Sequence, residues 1–209
     1  MRELLPGLYH WRVFHDDIQG DVDCYYGVSE GVGYVLDPLT PEGGLDVLRR
    51  LPQPPSHIYM SNRLHDRSCA EFAAAFDAPI WCNRRGLHEY ADGSLDLTGF
   101  DAGQDLPGGI RTIEVGIICA DETALLLPID VGVLAIADSF IRYPDSDGNR
   151  AIGFVPDDLI GENAESVKVE TRTRFLQLCD DLDFDHLLFA HGEPVIGGGK
   201  QDLRAFCEA

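Results

Sequence analysis

The sequence has very little lysine for its size and a large excess of acidic residues. Only two of its 16 basic residues are lysine, against 36 acidic residues, and the formal net charge is −20. A surface this acidic repels nucleic acid and anionic membranes, so we expect neither as a partner. Many carboxylates with few lysines are typical of proteins that work in concentrated salt, where screening removes most self-repulsion. We therefore expect a salt-adapted protein.

The sequence also lacks any run of about 18 consecutive apolar residues, the length from which a transmembrane helix is predicted. The first residues, Met1–Trp11, contain neither a basic region followed by an apolar run nor a small-residue cleavage site. We therefore predict no signal peptide and expect a cytoplasmic protein.

Three common functional motifs are missing. None of the six cysteines forms a C-x-x-C pair, which excludes a zinc knuckle and a thioredoxin-like site. No G-x-S-x-G nucleophile elbow occurs, and Gly197–Lys200 (GGGK) departs from the P-loop pattern at Pro194 and Gln201. We interpret most cysteines as small buried hydrophobic residues, and we consider only Cys69, which follows a polar loop, as a candidate reactive thiol.

What the sequence does contain is a series of strand and helix patterns over all 209 residues. Residues 23–37 predict two strands around a turn rich in Gly and Ser, and Gly132–Ala137 is an apolar run typical of a buried strand. Helices are predicted at Pro41–Leu51 and Ala164–Leu182. Hairpins interleaved with helices indicate an α+β or α/β sandwich, and the length suits a single domain, residues 1–209.

Polar residues follow four of the apolar strands directly. Asp37 ends one strand, the segment from Asn62 to Arg67 follows the next, and Asp138 and His191 end two later strands. One such residue alone usually forms a turn or caps a helix. Four of them in one chain favour a functional site at the edge of a sheet.

The order of these strands and residues resembles the metallo-β-lactamase fold family, which includes glyoxalase II-type hydrolases. In that family an early hairpin ends in aspartate, as in Tyr34–Pro38 (YVLDP), and a later strand leads to an H-x-H-x-D-H loop, here Ser61–Ser68 (SNRLHDRS). Two further strands end in G-D and H-G, matched by Ala137–Asp138 and His191–Gly192. The resemblance covers residues 7–206 and implies a four-layer αββα sandwich, of α+β (α/β) class, with a hydrolase-like function.

The loop departs from the family motif at its histidines. When Asp66 is aligned with the aspartate of the motif, the three histidine positions hold Asn62, Leu64 and Arg67. A fourth family histidine would fall near Gly116–Ile117, where this chain has none. Because the first metal position has lost its histidines, we do not expect two zinc ions.

The resemblance still implies one metal site, formed by Asp66, Asp138 and His191. Two carboxylates and one imidazole would bind one zinc, iron or manganese ion and leave positions open for water. Water activated there would attack a small ester or thioester-like substrate. In this interpretation Asp66 is also catalytic, because it would orient the water or accept its proton.

The alternative is a non-catalytic descendant of the fold that binds a small ligand or partner in the old cleft without metal. Arg67 would then replace the cation by pairing with nearby carboxylates. A small local shift of the loop would point His65 inward, and His88 falls where family members often carry a residue near the site. We predict His65, Arg67 and His88 as binding residues, and the sequence leaves the choice between the two functions open.

Overall fold

The computed structural model describes residues 1–144, 148 and 150–209, which form two β-sheets and five α-helices. The first sheet contains, in spatial order, β1 (Arg2–Leu5), β2 (Leu8–His15), β3 (Gly20–Ser29), β4 (Val32–Leu36), β5 (His57–Tyr59), β6 (Ile80–Asn83) and β7 (Leu97–Phe100). The second contains, also in spatial order, β8 (Asp105–Leu106), β9 (Ile110–Glu114), β10 (Thr123–Leu127), β11 (Val133–Ile136) and β12 (His186–Phe189). The helices are α1 (Asp46–Arg49), α2 (Cys69–Phe76), α3 (Asp157–Ile160), α4 (Ala164–Asp181) and α5 (Gly199–Glu208), with a 3-10 helix at Arg84–Tyr90.

Both sheets change from antiparallel to parallel pairing. Strands β1 to β4 form an antiparallel meander, whereas β4 to β7 are parallel neighbours. In the second sheet β8 to β11 are antiparallel, and β12 lies parallel to β11. The parallel pairs β4–β5 and β11–β12 each bring two carboxyl ends to one edge of their sheet.

The strands divide their side chains between two apolar layers. In β10, Leu125 packs between the two sheets and Ala124 packs on the opposite face. In β4, Tyr34 packs between the sheets and Val35 packs on the opposite face. This is the two-residue period of a strand, and it gives one apolar layer between the sheets and one outside each sheet.

Helices cover the outer face of both sheets. Phe175 of α4 and Leu203 of α5 pack on the outer face of the second sheet. Leu48 of α1 and Phe72 of α2 pack on the outer face of the first sheet. The resulting order of helices, sheet, sheet and helices confirms the predicted four-layer αββα sandwich.

The helices differ from the predictions mainly in length. The helix predicted over Pro41–Leu51 is a single turn, α1, because Gly43 and Gly44 have φ of 89° and 74°, in the left-handed region. The helix predicted over Ala164–Leu182 ends one residue earlier, at Asp181. Within the described residues, no helix combines the length and the apolarity needed to cross a bilayer.

Candidate functional site

The candidate site lies where parallel strands of both sheets end. Asp37 follows β4, and the loop that contains His65 follows β5. Asp138 and His191 lie two residues beyond the ends of β11 and β12. His65 contacts both Asp37 and Asp138, and Asp138 contacts His191, so the four predicted strand-end segments meet in one place.

His65, Asp138 and His191 bring three potential metal-ligand atoms together. Nε2 of His65 and Nε2 of His191 lie 3.2 and 3.3 Å from the same oxygen, Asp138 Oδ1. One such atom from each residue lies within 4.8 Å of the other two. Ligand atoms about 2.0 Å from a tetrahedral ion are separated by about 3.3 Å, so the spacing fits one small divalent cation. No second group of this kind occurs in the part of the chain that the structure describes.

The second ring nitrogen of His65 faces a buried carboxylate. Nδ1 of His65 lies 3.1 Å from Asp37 Oδ2 and 3.1 Å from the hydroxyl of Ser61. Ser61 fixes Asp37 in turn, because its amide donates to Oδ1 at 2.8 Å and its hydroxyl donates to Oδ2. A carboxylate at Nδ1 orients the imidazole and makes Nε2, the nitrogen that faces Asp138, more basic.

The conformation of the loop explains why His65 points inward. The side-chain oxygen of Asn62 accepts from the amide of Leu64 at 2.8 Å, and the main-chain carbonyl of Asn62 accepts from the amide of His65 at 3.2 Å. This Asx turn reverses the chain just before His65. The side-chain amide of Asn62 also donates to Asp138 Oδ2 at 2.6 Å. Asn62, at a position where the family has a histidine, thus ties the loop to Asp138.

The two carboxylates of the site favour a positive charge between them. Burial alone would lower the pKa of His65, but Asp138 and Asp37 outweigh burial and raise this pKa to about 9. Burial likewise opposes ionisation of Asp138, yet His65 and His191 hold its pKa well below the ordinary value. Burial also opposes ionisation of Asp37, but His65 and Arg67 outweigh it and lower the pKa of this carboxyl.

The segment that carries His191 is held on both sides. Nδ1 of His191 lies 3.2 Å from the hydroxyl of Tyr143, and the main-chain carbonyl of His191 accepts from the amide of Arg142 at 2.8 Å. Gly192 has φ of 118°, and a Cβ at this position would lie 2.4 Å from the carbonyl oxygen of Arg142. Only glycine therefore fits directly after His191.

A buried ion-pair network lies behind this segment. Asp23 has no exposed surface, and its Oδ2 accepts from the amide of Gly192 at 2.6 Å. Its Oδ1 accepts from Arg12 Nη2 at 2.9 Å and lies 2.6 Å from His10 Nε2. The carboxylate of Asp23 therefore links β2 and β3 to the turn that positions His191. No sequence pattern marked Asp23, because its partner Gly192 is 169 residues away.

Two residues predicted for the site, Asp66 and His88, lie outside the cluster, and the candidate thiol Cys69 is chemically unsuited. Asp66 is exposed and is not part of the three-residue cluster, so His65 replaces it in the candidate ligand set. His88 is exposed in the 3-10 helix, where its Nδ1 donates to the carbonyl of Arg85 at 2.8 Å, outside the cavity described below. Cys69 is buried, and burial raises the pKa of its thiol well above the ordinary value, which opposes reactivity.

Arg67 lies in the site, but its contacts differ from those predicted. Its guanidinium donates to the main-chain carbonyls of Asp37 at 2.7 Å, Asp23 at 3.4 Å and Ala190 at 3.5 Å. Within the described ranges, it forms no ion pair with a carboxylate. Arg67 therefore joins β3 to the segments that follow β4 and β12, and its charge acts on Asp37 without a direct ion pair.

Sequence reasoning missed Glu122, a carboxyl buried next to the site. Its Oε1 accepts from the amide of Ser139 at 2.9 Å, whereas Oε2 and the Ser139 hydroxyl have no partner in the described structure. Burial, and next repulsion by Asp138, raise the pKa of Glu122 to about 7. An acidic residue at the start of a strand is usually a surface residue, so nothing in the sequence marked it.

A cavity of about 580 Å³ opens above the three-residue cluster. This volume is within the ordinary range for small-molecule sites. Its polar lining includes the cluster, Arg67 and two side chains that were not predicted, His15 and Tyr143. Its apolar lining comes from several chain segments and comprises Ile18, Leu64, Ile118, Ile141, Val155, Pro156 and Leu159.

Comparison with known proteins identifies the fold. No known protein family and no curated protein matches the sequence. A metallo-β-lactamase family protein from Thermus thermophilus is 16% identical, over 99% of this chain and 78% of that one, with a TM-score of 0.66. The DIM-1 metallo-β-lactamase is 11% identical, over 99% of this chain and 95% of that one, with a TM-score of 0.70. A flavodiiron protein from Giardia intestinalis is 17% identical, over 99% of this chain and 58% of that one, with a TM-score of 0.68.

The chain therefore has the metallo-β-lactamase fold. The similar structures include a β-lactamase and a flavodiiron protein, so the fold is compatible with different chemistries. The function of this chain has to be argued from its own site.

Proposed function

We propose that the chain is a hydrolase that uses one divalent metal ion, held by His65, Asp138 and His191, to cleave a small ester or thioester-like substrate. The observation that supports this proposal is the placement of three potential ligand atoms at the base of a cavity. Each imidazole has its second nitrogen next to an oxygen, of Asp37 or of Tyr143. Histidines that bind metals in proteins are usually held in this way.

The ligand set fits zinc or iron(II). Two histidines and one carboxylate occur both in catalytic zinc sites and in non-haem iron sites. The set predicted from the sequence had two carboxylates and therefore suited manganese as well. With His65 in the place of Asp66 the set has only one carboxylate, and it no longer suits manganese equally well. A bound ion of this kind would supply a Lewis acid that polarises a carbonyl and lowers the pKa of water.

The protein residues would position the substrate and the ligands. Asp37 and Tyr143 orient the two imidazoles, and Asn62 holds Asp138 through Oδ2 so that Oδ1 faces both histidines. Arg67 supplies a positive charge at the base of the cavity, where it would bind the carboxylate that hydrolysis produces. We give Asp66 no catalytic role, because its side chain is exposed and outside the cluster.

One observation favours the second function, ligand binding without metal. His65 lies between the carboxylates of Asp37 and Asp138, at 3.1 and 3.2 Å, and its pKa is raised to about 9. A protonated His65 would offset part of both negative charges in the place of a cation. In this alternative the replacement charge is His65 instead of Arg67, which donates to main-chain carbonyls.

We further propose a small molecule as the substrate or ligand of a single-domain, salt-adapted cytoplasmic protein. The net charge of −20 supports this choice, because it opposes binding to nucleic acid and to anionic membranes.

The metal content of purified protein tests the proposal. The protein should be purified in high salt without chelator or histidine tag, and elemental analysis should give close to one equivalent of zinc or iron. Asp138→Asn should lose this metal. Asp130→Asn is the matched control, because Asp130 also contacts a histidine, His186 at 3.0 Å, but lies outside the cluster. Metal that persists in Asp138→Asn would contradict the assignment of the ligands. Absence of metal from the wild type and from both variants would favour the ligand-binding alternative.

A further inference from the structure

The mouth of the cavity carries exposed apolar side chains from three separate parts of the chain. Ile18 lies in the turn between β2 and β3, Leu64 in the loop after β5, and Leu159 in α3. They are 54%, 56% and 68% exposed, and all three line the same cavity. A single exposed apolar residue is ordinary, whereas several around one opening mark a binding surface.

The apolar surface continues from the mouth into the cavity. Ile118 follows β9, Ile141 follows β11, and Val155 and Pro156 precede α3, and all four line the cavity wall. An apolar wall of this extent is notable in a protein with a net charge of −20. It would bind an uncharged, hydrocarbon-like group, because water is released from both surfaces.

The base of the cavity is polar and contains an arginine, Arg67, that forms no ion pair with a carboxylate in the described structure. The other arginine in the lining, Arg63, pairs with Asp121 and with Glu89. Arg67 instead donates to main-chain carbonyls, which carry no formal charge. The lining therefore combines a polar base, where Arg67 lies with His65, Asp138 and His191, with an apolar wall and mouth.

We propose that this cavity binds an unbranched aliphatic carboxylate of medium length, with its carboxylate at Arg67 and its alkyl chain along the wall towards Ile18, Leu64 and Leu159. The proposal rests on the proposed function in one respect, since such a carboxylate would be the acyl product of the hydrolysis. In that reaction the oxygen of water bonds to the acyl carbon and the C–O or C–S bond breaks. The leaving alcohol or thiol takes one proton of the water, the other proton is released to solvent, and the acyl group leaves as the carboxylate. The substrates are then medium-chain acyl esters or thioesters.

Direct binding of carboxylates to the metal-free protein tests the inference. Butanoate, hexanoate and octanoate should be titrated by NMR or calorimetry into protein stripped with chelator, below the concentration at which micelles form. Each methylene that is fully buried increases affinity about fourfold. Because the mouth is partly open, the methylenes are not fully buried, and we expect octanoate to bind at least about tenfold more tightly than butanoate. Octylamine, with the opposite charge, should bind more weakly than octanoate, and an equal or higher affinity would contradict the role of Arg67.

Variants at the mouth locate the alkyl chain. The triple variant Ile18→Ser, Leu64→Ser, Leu159→Ser should fold, because all three side chains are more than half exposed. It should reduce the preference for octanoate over butanoate to less than about threefold. Val169→Ser is the matched control, since Val169 is 64% exposed but does not line the cavity, and it should keep the full preference.

The outcomes separate this inference from the proposed function. Equal affinity for all chain lengths, or an unchanged preference in the triple variant, would overturn the inference even if the protein binds metal and is active. A chain-length preference in protein that never binds metal would support the inference and disprove the hydrolase proposal alone.

Discussion

Replacement of Glu122 by glutamine should stabilise the protein at alkaline pH and have little effect at acidic pH. The carboxyl is 1% exposed, one of its oxygens has no partner in the described structure, and its pKa is raised from 4.5 to about 7. A folded-state pKa above the unfolded-state value means that the folded protein binds the proton more tightly. The contribution of Glu122 to stability is therefore greatest below pH 4.5 and is lost as the pH rises through 7.

The magnitude follows from the size of the shift. A shift of 2.5 units corresponds to about 3 kcal/mol, at about 1.4 kcal/mol per unit, lost by the wild type once Glu122 is fully ionised. Glutamine has the same shape and does not ionise, and its oxygen would keep the bond from the amide of Ser139. Relative to the wild type, Glu122→Gln should gain about 3 kcal/mol at pH 8 and less than about 1 kcal/mol at pH 5.

Urea unfolding, followed by circular dichroism at pH 5 and pH 8, measures this difference. The protein should be metal-free and the salt concentration constant, because a bound ion would add its own stabilisation. For a chain of this length, 3 kcal/mol corresponds to a rise in melting temperature of roughly 6–12 °C. Glu170→Gln, at an exposed position on α4, is the control and should change stability by less than about 0.5 kcal/mol at either pH. Equal stability of wild type and Glu122→Gln at pH 8 would refute the reasoning.

Two further variants test the supports of the site. Asp23→Asn should weaken metal binding about 10- to 100-fold, measured by competition with a chromogenic chelator, because Asp23 fixes the turn that carries His191; unchanged affinity would show that this turn holds its position without the carboxylate. Arg67→Ala should lower the free energy of unfolding by about 1–3 kcal/mol in urea, because three main-chain carbonyls lose a charged donor. No loss of stability in that variant would mean that water replaces the guanidinium without cost.

The sequence predicted the place of the site better than its composition. Asp138 and His191 were identified as strand-end residues, and both belong to the observed cluster. Their positions can be recognised because a buried strand is an apolar run, and because parallel strands end at the same edge of a sheet.

The other features of the site could not be predicted from the sequence because they depend on loop conformation or on contacts distant in sequence. Alignment with the family motif placed Asp66 at a ligand position. The Asx turn at Asn62, however, turns the loop so that His65, the residue before Asp66, faces the site. Asp23 acts through its contact with Gly192, and Tyr143 acts through its contact with His191. Both contacts form only when the chain folds. Local propensity contains no information on such contacts.

The most direct test of the account compares two adjacent residues of the loop, His65 and Asp66. Both should be replaced by alanine, and the zinc and iron content of each variant should be measured beside that of the wild type after purification without chelator. We predict close to one equivalent in the wild type and in Asp66→Ala, and none in His65→Ala, because His65 and not Asp66 lies within ligand distance of Asp138 and His191. Loss of the metal in Asp66→Ala with retention in His65→Ala would contradict the account.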